Sequence, residues 1–302
     1  MRIQVLSDLH LERYPDFMPQ AANAVDVLVL AGDIGSYQAG SRLTGEDFGL
    51  ARFAPRLSGG QWPRVLYVPG NHEYDGLDFD TTRLRLRQTC EALGIDWLDQ
   101  QVIQIGPVRF VGSTLWADFE ALAQAEPTET RRHRALEKAY RAANFYLHKN
   151  TTLRAGQPVL AEGIRALAID CQRWLRAALA QPFDGPTVVV THFAPSLLSS
   201  DPRYGLTPGT AGFCNALDEL LPQARLWIHG HLHCPVDYVS SALPGGPAQH
   251  CRVVANPRGY HHKGEQAQFR EGFVVELDEA AQTPPGRPRA AEVQLRSCRG
   301  TA

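Results

Sequence analysis

The sequence lacks several features that mark specialised classes of protein. Its longest apolar run, residues 25–32, is interrupted by Asp26, so no segment approaches the ~18–20 apolar residues that a membrane-spanning helix needs. It has no fixed-period repeat and no low-complexity tract. Thirty Lys and Arg residues face thirty-two Asp and Glu residues, a net charge of −2, so neither a polyanion-coating protein nor an acidic tail is indicated.

Paired cysteines are also missing. The six cysteines are far apart and form no CxxC motif. A chain of 302 residues, 44% of them hydrophobic, buries a large core without disulfide support. We therefore expect reduced thiols and a cytoplasmic location. The start of the chain agrees, because Met1–Leu6 runs straight into polar Ser7 and Asp8 and lacks the apolar stretch of about 7–15 residues of a secretory signal.

Short apolar runs alternate with helical patterns. The runs that predict strands are residues 3–6, 25–31, 64–68, 108–111, 187–190, 225–228, 252–255 and 272–277. Helices are predicted over residues 80–93, 164–179 and 213–221. This alternation predicts an α/β layered core with a mixed sheet toward the C-terminus.

We expect one domain over residues 1–277, with a helical, basic insertion at about residues 118–182 and a C-terminal tail at 278–302. Between Arg131 and Arg176 there are ten Lys or Arg and three Asp or Glu residues. The basic residues of the expected helix recur at spacings of three and four, which describes a solvated helix face. The alternative is a basic wall that attracts a phosphate-bearing substrate.

Five polar motifs each follow an apolar run, where open α/β sheets bind ligands. They are Asp8-Leu9-His10, Gly32-Asp33, Gly70-Asn71-His72-Glu73, Thr191-His192 and Gly230-His231-Leu232-His233. Positions i and i+2 of an extended segment point to the same side, so each Asp-x-His or His-x-His pair can converge on one point. The donors are two carboxylates, one amide oxygen and four imidazoles. They exceed one tetrahedral ion and suit two divalent metal ions, Mn, Fe, Zn, Co or Ni, that share a bridging carboxylate.

Any one of these motifs arises by chance, but all five in order resemble the calcineurin-like metallophosphoesterase superfamily. The resemblance implies a four-layer α-β-β-α sandwich of two mixed sheets with a dinuclear metal site at the strand ends. The implied ligands of one metal are Asp8, His10, Asp33 and His233. Those of the other are Asp33 as the bridge, Asn71, His192 and His231. His72 is then the implied catalytic acid, beside the metals and facing the leaving group.

The resemblance also implies a metal-dependent phosphoric ester hydrolase that cuts a phosphomonoester or phosphodiester through a metal-bridging hydroxide. Small-molecule or nucleotide substrates are favoured. A nuclease acting on DNA or RNA is an alternative, favoured by the basic insertion. A non-catalytic binding scaffold on the same fold is a second alternative, although such a scaffold is expected to lose ligands or His72. No membrane partner is expected, and the oligomeric state stays open.

Some positions depart from known subfamilies or have weaker indications. Ser36 stands where purple acid phosphatases carry Tyr and protein Ser/Thr phosphatases carry Asp, so both subfamilies are disfavoured and His72 lacks its usual orienting carboxylate. Arg258 follows an apolar run and is a tentative substrate-binding residue. For Glu12 we expect a solvent-facing carboxylate rather than a role beside the metal ligands. His229 is expected to be a hydrogen-bonded strand histidine.

Overall fold

One large sheet is built from the N-terminal third of the chain and its last described strand. The computed structural model describes residues 1–55, 60–240 and 250–278. This sheet has the order β13-β1-β2-β3-β4. Its parallel strands are β1 (Arg2–Leu6), β2 (Val27–Ala31), β3 (Val65–Val68) and β4 (Asp96–Trp97), and β13 (Val274–Glu276) pairs antiparallel with β1.

The second sheet has six strands in the order β11-β12-β10-β9-β6-β5. Its four central strands are parallel, and its two edge strands run antiparallel to their neighbours. The strands are β5 (Gln101–Ile105), β6 (Val108–Ser113), β9 (Thr187–Thr191), β10 (Leu226–His229), β11 (Val236–Val239) and β12 (Arg252–Ala255). Both sheets are therefore mixed.

Within the described ranges, three α-helices flank the sheets: α1 (Phe79–Leu93), α2 (Glu129–Leu147) and α3 (Ala161–Leu179). Asp78 caps α1 by accepting a hydrogen bond from the backbone of Thr81. Between α2 and α3 lies a small hairpin of β7 (Leu153–Arg154) and β8 (Gln157–Pro158). Among the described residues, no helix has both the length and the apolarity needed to cross a membrane.

Alternating side chains of the strands enter two cores. One set packs between the sheets, including Val5 and Val29 from the first and Val188 and Ile228 from the second. The opposite set packs outward with the helices, where α1 adjoins β4 and α3 adjoins β6. This confirms the predicted four-layer α-β-β-α sandwich, because each sheet buries one face against the other sheet and one against helices.

The eight strands predicted between residues 3 and 277 all occur, with bounds that differ by a few residues. A further strand, expected at residues 291–295 of the tail, lies outside the described residues. The sequence pattern misses β4, β5 and β11, which are short or exposed edge strands of the two large sheets, and it misses the small hairpin of β7 and β8. The segment expected as an insertion contains α2 and α3, and the expected tail lies outside the described residues except for Asp278. The five cysteines in the described ranges are free, in keeping with reduced thiols, while the cytoplasmic location stays a prediction.

The predicted helix over residues 213–221 is wrong. Cys214 forms an isolated parallel bridge with Ala194, and only a 3-10 turn follows, at Asp218–Gln223. The buried side chain of Asn215 donates to the carbonyls of Leu115 and Trp116, at 3.2 and 3.3 Å. These contacts hold the segment against the loop after β6, so Leu217, Leu220 and Leu221 are buried without an α-helix.

Helix α1 offers a test of this packing with a matched control. Leu86 is fully buried, whereas Leu84 on the same helix is 57% exposed. We expect Leu86→Ala to lower the free energy of unfolding by about 2–5 kcal/mol because it leaves a cavity in the core. Leu84→Ala should change it by no more than about 0.5 kcal/mol. Urea unfolding of the metal-free protein measures both, and equal losses would contradict the packing described here.

Candidate metal centre

The predicted motifs lie at the ends of strands from both sheets. The segments that follow β1 and β2 stay paired beyond the ends of the two strands, because the backbone N–H of His10 donates to the carbonyl of Asp33 at 3.1 Å. In the other sheet, the N–H of Gly230 donates to the carbonyl of His192 at 3.0 Å. The loops are thus fixed to one another by backbone hydrogen bonds before any metal binds.

The side chains form two groups of donors that share one carboxylate. One group is Asp8, His10, Asp33 and His233, and the other is Asp33, His192 and His231. Within each group, one donor atom per residue lies within 4.8 Å of the others. Asn71 joins the second group, because its Oδ1 is 3.2 Å from Nε2 of His192. All seven residues that the sequence nominates as ligands therefore meet in one place.

Three of the histidines are oriented by a contact at Nδ1, which leaves Nε2 facing the centre. The contacts are His10 to Glu12 at 3.1 Å, His192 to the Ala31 carbonyl at 2.8 Å and His233 to Glu265 at 2.6 Å. Metal-binding histidines characteristically donate a hydrogen bond from the N–H of their second ring nitrogen in this way, which fixes the tautomer and the orientation of the ring. The arrangement is therefore that of imidazoles ready to bind through Nε2.

The donor set fits divalent cations. Nε2 of His231 is buried without a hydrogen-bond partner in the described part of the chain, and Oδ2 of Asp33 has only histidine nitrogen near it there, with Nε2 of His192 at 3.2 Å. Nε2 of His10 and Nε2 of His233 face each other at 2.9 Å. A buried polar atom left unpaired costs about 1–3 kcal/mol, and a cation held by these atoms removes that cost. Oxygen and imidazole donors without thiolates suit first-row divalent metals.

Charge at the centre points the same way. Burial opposes the charge on Asp33, but nearby His192 and His72 hold the pKa of its carboxyl well below the ordinary value. In return, burial lowers the pKa of His192, yet the charge of Asp33 outweighs it and raises that pKa to about 9. Burial and the nearby charge of His192 hold the pKa of His231 well below its ordinary value, which keeps its lone pair free. Buried negative charge thus draws positive charge into the site.

The sequence matches the calcineurin-like phosphoesterase family over residues 1–235, which is more than half of the chain. The chain belongs to the calcineurin-like phosphoesterase family. Proteins of this family act on phosphate esters and usually bind divalent metals, which agrees with the clustered Asp and His donors.

Two individual proteins are similar over most of this phosphoesterase. An uncharacterized protein of Acanthamoeba polyphaga mimivirus is 23% identical over 305 residues, which covers 92% of this chain and 98% of the viral protein. The crystal structure of the phosphopantetheinyl hydrolase of Mycobacterium tuberculosis has a TM-score of 0.61 at 20% identity. That likeness covers 94% of this chain and 98% of the mycobacterial one, and it shows a shared fold.

The phosphoesterase holds most of its candidate ligands in a strained backbone. Five of the seven are non-glycine residues in the left-handed region: Asp8 (φ 52°), His10 (49°), Asp33 (54°), His231 (71°) and His233 (50°). Each such residue costs on the order of 1–3 kcal/mol. The i, i+2 pairs therefore converge through paired left-handed residues in loops, and the extended segment assumed from the sequence is not what aims them.

Motif glycines make room for these side chains. A Cβ on Gly70 would lie 2.2 Å from Oδ1 of Asp33, and one on Gly32 would lie 2.2 Å from Nδ1 of His192. Gly32 also has φ of +87°, which L side chains rarely adopt. The glycines beside the ligands are thus explained by close packing of the ligands themselves.

Glu73 fastens two of the motif loops together. Its buried carboxylate accepts backbone N–H bonds from Gly70 at 2.7 Å, Asp33 at 3.1 Å and Ile34 at 2.6 Å. Burial and the nearby charge of Asp33 raise the pKa of Glu73 to about 7. The last residue of the Gly-Asn-His-Glu motif is therefore a brace between the loops after β2 and β3.

Two further carboxylates belong to the centre, although few features of the sequence indicate them. Glu12, expected to face solvent, is fully buried against His10, so that expectation is wrong. Glu265 lies beyond the five motifs and contacts His233. The same oxygen of Glu265, Oε2, also accepts the backbone N–H of Tyr260 at 2.8 Å. Only the even spacing from His10 hinted at Glu12, and nothing local indicates Glu265.

The remaining nominated residues have clear positions. His72 lies beside the centre, with Nε2 4.0 Å from Oδ2 of Asp33. His229 ends β10 and contacts Ser199 at 2.9 Å, as expected of a strand histidine, and burial lowers its pKa to about 4.

Arg258 does not sit among the donors. Its buried guanidinium lies over the rings of Tyr14 and Phe17, at 4.6 and 4.0 Å, and donates to the Leu9 carbonyl at 3.4 Å. This position argues against the substrate-binding role that the sequence suggested for Arg258. Cation–π packing and a backbone bond occupy the side chain that the sequence pattern placed near the phosphate.

Substitutions at the shared carboxylate and at one outer histidine should differ in metal content. We expect Asp33→Asn to lose affinity for both ions, because this residue belongs to both donor groups. His10→Ala should weaken mainly one. Metal analysis after dialysis against a range of free Mn²⁺ concentrations measures both. Two ions retained by Asp33→Asn at wild-type affinity would contradict the shared role.

Proposed function

We propose that this phosphoesterase is a dinuclear metal-dependent hydrolase of a small-molecule or nucleotide phosphate ester, with manganese as the first metal to test. The observation that carries the proposal is the pair of donor groups that share Asp33, with His72 beside them. The residues that would hold one ion are Asp8, His10, Asp33 and His233. Those that would hold the other are Asp33, Asn71, His192 and His231.

Two cations in such a site neutralise charge on the phosphate and lower the pKa of water. The protein's own contribution to bond cleavage comes from His72. Its backbone N–H donates to Oδ1 of Asp33 at 2.9 Å, so the residue is held against the shared carboxylate. Burial disfavours its charged form, but Asp75 and Asp33 outweigh burial and hold the pKa of His72 well above its ordinary value. An imidazolium there can donate a proton from Nε2 to the leaving oxygen.

Aromatic rings flank the donors and restrict what else the site contacts. Phe193 and Phe213 lie against the ring of His231, with centroids 4.0 and 5.1 Å away, and Tyr260 stacks on His10 at 4.3 Å. Phe213 is 43% exposed, so its ring is available to an organic group on the phosphate. This supports an ester of an organic alcohol over inorganic polyphosphate.

A substrate panel on the metal-loaded protein tests the proposal. It contains p-nitrophenyl phosphate, its bis ester, a cyclic nucleotide, single-stranded DNA and a phosphopantetheinyl diester. The last compound is included because the mycobacterial protein is named a phosphopantetheinyl hydrolase. The similarity to that protein shows a shared fold and does not identify the substrate. We expect metal-dependent turnover of at least one small ester. Turnover of none of them, with two ions bound, would favour the binding scaffold.

Loss of His72 should depend on the leaving group. We expect His72→Ala to keep both ions and to lose about 10²–10⁴-fold in turnover of an alkyl ester, the range typical of general acid catalysis. Turnover of a nitrophenyl ester should fall far less, because that leaving group needs no proton. Parallel assays of kcat on the two esters measure the difference. Equal losses would show that His72 orients substrate without donating a proton.

The nuclease alternative depends on the basic face of α2. Arg131, Arg134, Lys138 and Arg141 are exposed on this helix. Acidic Glu137 sits among them, 4.0 Å from Arg141 and within 3.3 Å of His133. This mixture is that of a solvated helix face rather than a continuous track for phosphates, so the structure favours small substrates.

Neutralising that face should change little. We expect simultaneous Arg131→Gln, Arg134→Gln and Arg141→Gln to alter turnover of a small phosphodiester by less than about threefold, or ~0.7 kcal/mol. Titration with single-stranded DNA at several salt concentrations provides the second measurement. A wild-type affinity that falls with salt at a slope of about −0.7 per phosphate contact, and is absent from the variant, would favour the nuclease.

A further inference from the structure

The nitrogen of His72 that faces away from the centre is held by a carboxylate that no sequence motif announced. Nδ1 of His72 forms a short hydrogen bond with Oδ2 of Asp75. Asp75 is 3% exposed and directly follows the 3-10 turn His72–Tyr74, so the turn itself brings the two side chains together. The position expected to supply such a carboxylate is Ser36, whose hydroxyl instead accepts the backbone N–H of Gln38 at 3.1 Å.

Asp75 is in turn held by Asn150. Nδ2 of Asn150 lies 2.6 Å from the same Oδ2 of Asp75 and 2.9 Å from Oε1 of Gln38. The amide has two hydrogens, and these two acceptors use both. Asn150 therefore links the carboxylate behind His72 to the loop that carries Asp33.

Backbone hydrogen bonds fix the segment that carries Asn150, even though its side chain is largely exposed. The N–H of Gly76 donates to the carbonyl of Thr151 at 2.9 Å, and the N–H of Leu153 donates to the carbonyl of Leu77 at 2.8 Å. Residues 150–153, which follow α2, thus run alongside residues 75–78. The expected insertion reaches the edge of the metal centre at this point.

We propose that Asp75 and Asn150 are positioning residues that keep Nε2 of His72 aimed at the leaving oxygen. The proposal rests on the proposed function, since it assigns partners to the acid named there. As the ester P–O bond breaks, the Nε2 proton passes to the leaving oxygen and the imidazolium becomes neutral imidazole. The Nδ1 proton stays on His72, in its hydrogen bond to Asp75, throughout.

The variants are Asp75→Asn, Asn150→Ala and the control His148→Ala, which removes an exposed side chain two residues from Asn150. The first readout is the ratio of kcat on an alkyl phosphodiester to kcat on the matching nitrophenyl diester. We expect Asp75→Asn to lower this ratio at least about tenfold. Asn150→Ala should lower it about 2–10-fold, the equivalent of one hydrogen bond. His148→Ala should leave it unchanged.

The second readout needs neither metal nor activity. In metal-free protein labelled with ¹⁵N-histidine, the Nδ1–H proton of His72 should give a far-downfield NMR resonance, assigned by its loss in His72→Ala. We expect it to move in Asp75→Asn and in Asn150→Ala, and to stay in place in His148→Ala. If Asp75→Asn fails to fold, Asn150→Ala carries both readouts, because its side chain lies at the surface.

The outcomes separate this proposal from the function on which it rests. If the loaded wild type cleaves no phosphoester in the panel, the proposed function fails, while the resonance still reports whether Asp75 and Asn150 position His72. If the wild type is active but both variants keep its leaving-group ratio, the positioning proposal is overturned, however large a common loss in turnover they show. An unmoved resonance in both variants would overturn it as well.

Discussion

Everything at this site depends on a buried negative charge, the carboxylate of Asp33 at the junction of the two sheets. Asp33 is 1% exposed, and Nε2 of His192 lies 3.2 Å from its Oδ2. An ionised carboxylate in such a place needs positive charge nearby. In the metal-free protein, His192 and His72 supply it. Cations held by the two donor groups would neutralise the same carboxylate.

Keeping the donors together has a cost that the surrounding structure offsets. Left-handed backbone at Asp8, Asp33 and His231 is unfavourable in isolation, and the loops hold it because they are fastened to one another. The brace at Glu73 joins two of these loops through three backbone hydrogen bonds. The carboxylates that orient the ligand histidines add a second layer of support, in which Glu265 comes from a part of the chain beyond residues 1–235.

How far the sequence predicts this arrangement depends on how local each signal is. The strands and the seven donors could be predicted because each motif sits directly after an apolar run, and strand ends meet at one edge of a sheet. The partner of His72 could not be, because Asp75 reads as an ordinary turn residue and Asn150 reaches it across 75 positions. The helix predicted over residues 213–221 does not form, because tertiary contacts of Asn215 override the local hydrophobic pattern. The substrate-binding role predicted for Arg258 is not supported, because neighbouring aromatic rings pack against its guanidinium.

We infer that two cations share Asp33. Anomalous diffraction from crystals of the Mn²⁺-loaded protein is the most direct measurement of this sharing. We expect two anomalous peaks about 3.5–4 Å apart, the usual separation in two-metal sites, with the carboxylate of Asp33 in contact with both. A single fully occupied peak, or two peaks of which only one contacts Asp33, would contradict it.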